Sequence, residues 1–163
     1  MKRDKKMFPM YTDLTQKKVL IIGGGPIGER RAVTLLDFAG EILVISPSVT
    51  DRLRTLAEEE KIVWVDKKYE REDLYDADLV LAATDSREVN EDIYSACKCL
   101  GIPVNVSSDR TKCDFHFPGI LIKDDIVIGF NGGGNQHKKT KEMREKVQHF
   151  LERPEEAGWK KEK

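Results

Sequence analysis

One stretch constrains this chain more than any other: Val19-Leu20-Ile21-Ile22-Gly23-Gly24-Gly25-Pro26-Ile27-Gly28. An apolar run of leucine and β-branched side chains breaks into three glycines, and the segment from Glu29 to Phe38 has helical spacing. Strand, tight turn and helix form the context that gives Gly23-x-Gly25-x-x-Gly28 a physical meaning. Gly23 supplies the tight turn. A side chain at Gly25 would keep a pyrophosphate from the backbone, and Gly28 lets the helix lie close to the strand. The helix start, at Pro26 and Ile27, then offers the free amides that follow the proline and the positive end of the helix dipole.

Further apolar segments follow at α/β spacing. Ile42–Ile45 is a continuous apolar strand, as expected where helices cover both sheet faces. Asp51–Glu60 reads as a helix capped by Thr50 or Asp51, Ile62–Val65 as a third strand and Leu79–Ala83 as a fourth. Val89–Leu100 is the next helix and Val104–Val106 the fifth strand. In the first helix, Arg30–Phe38, Ala32, Val33, Leu35 and Leu36 supply the buried stripe. This alternation predicts an α/β fold with a Rossmann-type, doubly wound parallel sheet.

The pattern changes after Cys113. Ile120–Ile122 and Ile126–Phe130, joined by Lys123-Asp124-Asp125, read as a β-hairpin. Asn131 to Asn135 is a glycine-rich break, and Lys138–Glu152 a basic helix with Met143, Val147, Phe150 and Leu151 on one face. A hairpin and one helix are too little to form a core alone. We therefore expect a dinucleotide-binding domain over residues 1–113, then a dimerisation hairpin and the start of a truncated helical region over 114–163. The tail from Glu155 is mostly charged and expected to fray.

Formal net charge is -1 over 163 residues, which does not indicate a surface built for nucleic acid. No apolar run reaches a membrane span, and Met1–Lys6 has no apolar segment behind it as a secretory signal would. Cys97, Cys99 and Cys113 are an odd number, expected as reduced thiols in the cytoplasm, and Cys97-Lys98-Cys99 is too tight for the usual Cys-x-x-Cys metal spacing.

Several motifs together resemble the precorrin-2 dehydrogenase family, the dehydrogenase/ferrochelatase module of siroheme synthases. The resemblance runs from about Pro9 to about Glu152. It rests on Gly23-Gly24-Gly25-Pro26-Ile27-Gly28-Glu29-Arg30-Arg31, Ser46-Pro47, Ala83-Thr84-Asp85 with Asn90, Asn105-Val106, Cys113-Asp114-Phe115 and Phe117-Pro118, in the family's order. It implies oxidation of precorrin-2 to sirohydrochlorin with NAD, insertion of ferrous iron by some members, and a homodimer formed through the segment after the Rossmann domain. Three departures stand out. The family's catalytic aspartate falls on Ser108, with Asp109 next in sequence. Asn131-Gly132-Gly133-Gly134-Asn135-Gln136 replaces a Ser-Gly-Gly-x-Ser-Pro, and most of the C-terminal helical extension is missing.

The chemistry-bearing residues divide by place. At the end of the second strand Ser46 occupies the position where NAD enzymes usually carry an acid. Ser46 and Ser48, around Pro47, can hydrogen-bond a ribose, and Arg52 and Arg54 can take a 2′-phosphate or simply line a solvated helix face; only the resemblance favours NAD over NADP. Thr84 and Asp85 lie at the carboxyl end of the fourth strand, where the nicotinamide side binds, and Asp85 is equally suited to cap the next helix; Asn105 lies on the fifth strand and is a further cofactor-binding candidate. Asp109, beside Ser108, is the candidate to accept a proton or stabilise positive charge. His116 suits a transient iron contact or a structural role, and no resident metal site is expected. Lys138, Lys139, Lys141, Arg144 and Lys146 can steer a polycarboxylate or merely solvate a helix. A second reading also fits the residues: a non-catalytic nucleotide- or tetrapyrrole-binding module that has lost the catalytic aspartate.

Overall fold

A computed structural model describes residues 7–133 and 136–153. The chain divides into two compact units, Tyr11–Phe115 and a second made by residues up to Met10 with those from His116 onward. The first unit holds β1 (Lys18–Gly24), α1 (Pro26–Leu35), β2 (Glu41–Val49), α2 (Asp51–Glu58), β3 (Val63–Val65), β4 (Leu79–Ala82), α3 (Arg87–Leu100) and β5 (Val104–Val106). All strand pairs are parallel, in the order β3-β2-β1-β4-β5. The order reverses between β1 and β4, which makes that crevice the ligand-binding switch point of an open α/β sheet.

The core follows from the apolar strands. Val19, Leu20, Ile21, Ile22, Val44, Val80, Leu81 and Val104 are buried, and Leu53, Leu56, Leu74 and Ile93 cover them. α2 starts where Thr50 accepts the Leu53 amide at 3.3 Å, and α3 where Ser86, not Asp85, accepts the Val89 amide at 3.3 Å. α3 stops at Gly101, whose φ of 72° is the left-handed cap that other residues adopt with strain.

Sequence expectations shift in α1. α1 begins at Pro26 rather than near Arg30, because proline lacks an amide exactly where the helix has no partner for one. Val33, expected inside, is 38% exposed; the helix buries only the narrower stripe Gly28, Ala32 and Leu35.

In the second unit β6 (Gly119–Lys123) and β7 (Ile126–Phe130) pair antiparallel around a two-residue turn, with Asp124 at a φ of 52°. α4 (His137–Glu152) packs on this hairpin through β6, where the Arg144 side chain lies near Gly119. Residues 134 and 135 of the expected glycine-rich break, and the tail from Pro154, lie outside the described residues. Among the described residues no helix is long and apolar enough to cross a membrane.

Candidate dinucleotide site at the switch point

The glycine turn is clasped by the ends of two neighbouring strands. Gly23 has a φ of 114°, and a Cβ there would lie 2.5 Å from the Ala83 carbonyl oxygen and 2.8 Å from the Thr84 amide. A Cβ on Gly24 would meet the Ser48 carbonyl oxygen at 2.4 Å. On Gly28 it would lie 2.0 Å from the Gly23 carbonyl oxygen, so only glycine lets α1 pack this tightly over the turn. Gly25 differs: a Cβ there meets nothing within 4 Å. The open space lies at the start of α1, where Gly25 is the cap residue, no side chain caps the helix and Pro26 is its first residue. The amides of Ile27 and Gly28, in the first helical turn, precede the first intrahelical bond, from Glu29 to the Gly25 carbonyl at 2.9 Å. A pyrophosphate fits this cradle, with uncapped amides and backbone open to approach.

β2 does not end at Ile45. Its register with β1 runs from Ile22↔Ile45 to Gly24↔Val49, so Ser46, Pro47 and Ser48 bulge opposite Gly23. Ser46 is buried, while Pro47 and Ser48 are exposed. The indole Nε1 of Trp64 donates to the Ser46 carbonyl at 3.0 Å, and the Arg54 guanidinium stacks 5.0 Å from the Trp64 ring centre. Lys61 pairs with Glu59 at 2.7 Å and holds its carboxyl below the usual range, with a smaller contribution from the charge of Arg52.

On the other side of the crevice, Asn90 organises the polar groups. It is 2% exposed, inside α3. Its Oδ1 accepts from the Thr84 amide at 3.2 Å and stands 2.8 Å from the Thr84 hydroxyl, which alternatively donates to the Ser86 carbonyl at 3.0 Å. Its Nδ2 donates to the Thr84 carbonyl at 3.0 Å and to Ser108 Oγ at 3.2 Å. Thr84 and Ser108, distant in sequence, are thus joined through one buried amide. An asparagine on the apolar face of α3 was the available signal for this role.

Asp109 points elsewhere. Its Oδ1 accepts from the Thr111 hydroxyl at 2.6 Å and the Thr111 amide at 3.0 Å, capping a 3₁₀ turn at Arg110–Lys112. Those two bonds hold its carboxyl below the usual range, so it is ionised at neutral pH. Asp85 stands exposed beside Thr84.

The Cys113-Asp114-Phe115 segment sews itself onto β5. Asp114 exchanges backbone and side-chain bonds with Val104, its amide to the carbonyl at 2.9 Å and its carboxylate from the amide at 3.0 Å. Cys113 Sγ accepts from the Val106 amide at 3.3 Å, and Asn105 Nδ2 donates to the Phe115 carbonyl at 2.8 Å. Asn105 is therefore buried and engaged in structure at the sheet edge. Arg31, on α1, is half-buried; burial, and then the neighbouring charge of Arg30, push its guanidinium down to about 10. Burial pushes the Cys97 thiol up to about 12. Among the described residues no group of three or more His, Cys, Asp or Glu could hold a metal ion, and His116 lies in the second unit.

Comparison with known proteins fits this geometry. Residues 10–119 match a family model described as "Putative NAD(P)-binding". The chain is 37% identical over 141 residues to the "Probable multifunctional siroheme biosynthesis protein HemA" of Ruminiclostridium josui, covering 86% of the chain and 27% of that protein. It is 34% identical over 143 residues to siroheme synthase 1 of Aeromonas salmonicida, covering 88% and 31% respectively. The chain thus spans less than a third of these relatives' length. The solved structure of SirC, a precorrin-2 dehydrogenase, superposes with a TM-score of 0.73 at 23% identity over 86% of the chain and 69% of SirC, and so shares the fold. The chain belongs to the NAD(P)-binding family whose model spans its parallel sheet and glycine turn.

Proposed function

We propose that the chain oxidises precorrin-2 to sirohydrochlorin with NAD. One observation carries the proposal: Gly23 packs against Ala83 and Thr84, so the open cradle at Gly25 lies next to the Thr84–Asn90–Ser108 cluster. A pyrophosphate site and a polar, positioned group share one crevice, as transfer between two bound molecules requires. The siroheme names of the relatives supply the substrate class.

In this reading Gly23, Gly25, Pro26 and Ile27 hold the pyrophosphate, Ser46, Pro47 and Ser48 line the ribose, Thr84 and Asp85 belong to the nicotinamide side, and Asn105 supports the cofactor site from the fifth strand through its bond to the Phe115 carbonyl. Bound NAD⁺ supplies the hydride acceptor. Asn90 fixes Thr84 and Ser108 in place before substrate arrives. Asp109 contributes negative charge beside the positive charge that develops as the macrocycle loses hydride, a role suited to a carboxylate held ionised. It takes the proton only after releasing Thr111. The chain works as a homodimer through the hairpin and α4, and the basic face of α4 attracts the substrate carboxylates. Iron insertion, with His116 as a transient contact, is a further activity we assign to the same reading, and we place the protein in the cytoplasm.

The test is NADH formation with precorrin-2, followed together with sirohydrochlorin absorbance. Asp109→Ala should lower turnover about a hundredfold with little change in NAD⁺ binding. No turnover by the native chain overturns the proposal, and full activity in Asp109→Ala removes Asp109 from it.

A further inference from the structure

The adenosine end of the crevice has an unusual composition for a site assigned to NAD. The bulge Ser46–Ser48 places no carboxylate opposite Gly23. A carboxylate there would hydrogen-bond the ribose hydroxyls and repel a 2′-phosphate. Instead, the Ser46 carbonyl is held by Trp64 Nε1 at 3.0 Å, and the face of the same indole carries the Arg54 guanidinium at 5.0 Å. Trp64 therefore links the ribose position to a positive charge. Stacking occupies the face of a guanidinium and leaves its in-plane N–H donors available for an anion. Arg54 is exposed, and no ion pair engages it among the described residues.

We propose that this chain accepts NADP⁺ as well as NAD⁺, with Arg54, braced on Trp64, receiving the 2′-phosphate. The inference rests on the dinucleotide reading of the glycine turn and extends it from the cofactor class to the choice between the two cofactors. Arg54 acts here as a specificity-determining residue. Trp64 is a positioning residue that holds the Arg54 guanidinium on its ring while its Nε1 bonds the Ser46 carbonyl.

Isothermal titration of NAD⁺ and NADP⁺ against the full chain tests this without relying on turnover. Binding of NADP⁺ within about tenfold of NAD⁺ is expected. Arg54→Gln should weaken NADP⁺ by about tenfold or more while leaving NAD⁺ within about twofold, because one charge-assisted contact is lost and the rest of the site is untouched. Retained NAD⁺ binding also shows that the variant is folded. Arg54→Lys should recover part of the loss. NADP⁺ binding weaker than NAD⁺ by more than tenfold overturns the proposal. So does an equal loss of both dinucleotides in Arg54→Gln, or no loss at all. Failure of the native chain to bind either dinucleotide overturns the reading of the glycine turn together with the inference built on it.

Discussion

In the unit from Tyr11 to Phe115, Leu20, Val80 and Val104 have no exposed surface, whereas in the unit containing the hairpin Ile126 is 65% exposed and Met143 56% exposed. No described residue from His116 to Arg153 is buried. The two units obey the same chemistry with different amounts of surface to hide. Five strands sandwiched between helices have two faces to cover and the helices to cover them. Two strands and one helix cannot enclose an interior, so their apolar side chains remain available to a second copy of the chain. Among the described residues the first unit encloses an interior and the second does not.

Hydrogen exchange should show the largest contrast. Amides of Val19–Ile22 should exchange only on global unfolding, while those of β6 and β7 exchange orders of magnitude faster in dilute protein. If the hairpin forms an interface, its protection rises with protein concentration and that of β1 does not. Equal, concentration-independent protection in both regions would break the comparison.

Core truncation is the next largest effect. Leu81→Ala, at a side chain 1% exposed, should cost about 2–5 kcal/mol in chemical denaturation. Ile128→Ala, in the half-buried hairpin, should cost less than about 1 kcal/mol at low concentration. The smallest change in stability belongs to Met143→Glu on α4. It should leave the denaturation midpoint of the sheet nearly unmoved, yet shift self-association by about tenfold or more in sedimentation velocity. A native chain that sediments as a monomer at micromolar concentration would refute the dimer.

Much of this was legible in the sequence, and the gaps have specific causes. Apolar runs ending in glycine or polar residues marked the strands, because a strand covered on both faces has a continuous apolar signature. Val104–Val106 and the start and end of β7 were read residue for residue. The start of α1 was placed late because apolar periodicity begins at Ala32, while Pro26 sets the helix through its fixed φ instead. The apolar run ending at Ile45 is legible, but the bulge carrying β2 to Val49 is not, since no local residue preference announces a register shift. Asn90 appeared only as one letter of a motif, and Trp64 not at all. Each matters through partners far along the chain, Ser108 for Asn90 and Ser46 for Trp64, and such pairings exist only after folding.

The stitching of Cys113–Phe115 along β5 has a consequence for how the protein survives crowding. A parallel sheet has two rims, and each is a row of donors and acceptors that a foreign strand can join. On one rim the Val104 and Val106 amides are already taken, by Asp114 and Cys113 of the same chain. The opposite rim is β3, only Val63 to Val65. The sheet is therefore hemmed on one side and too short to template on the other. A sheet with both rims defended in this way is a poor template for a foreign strand.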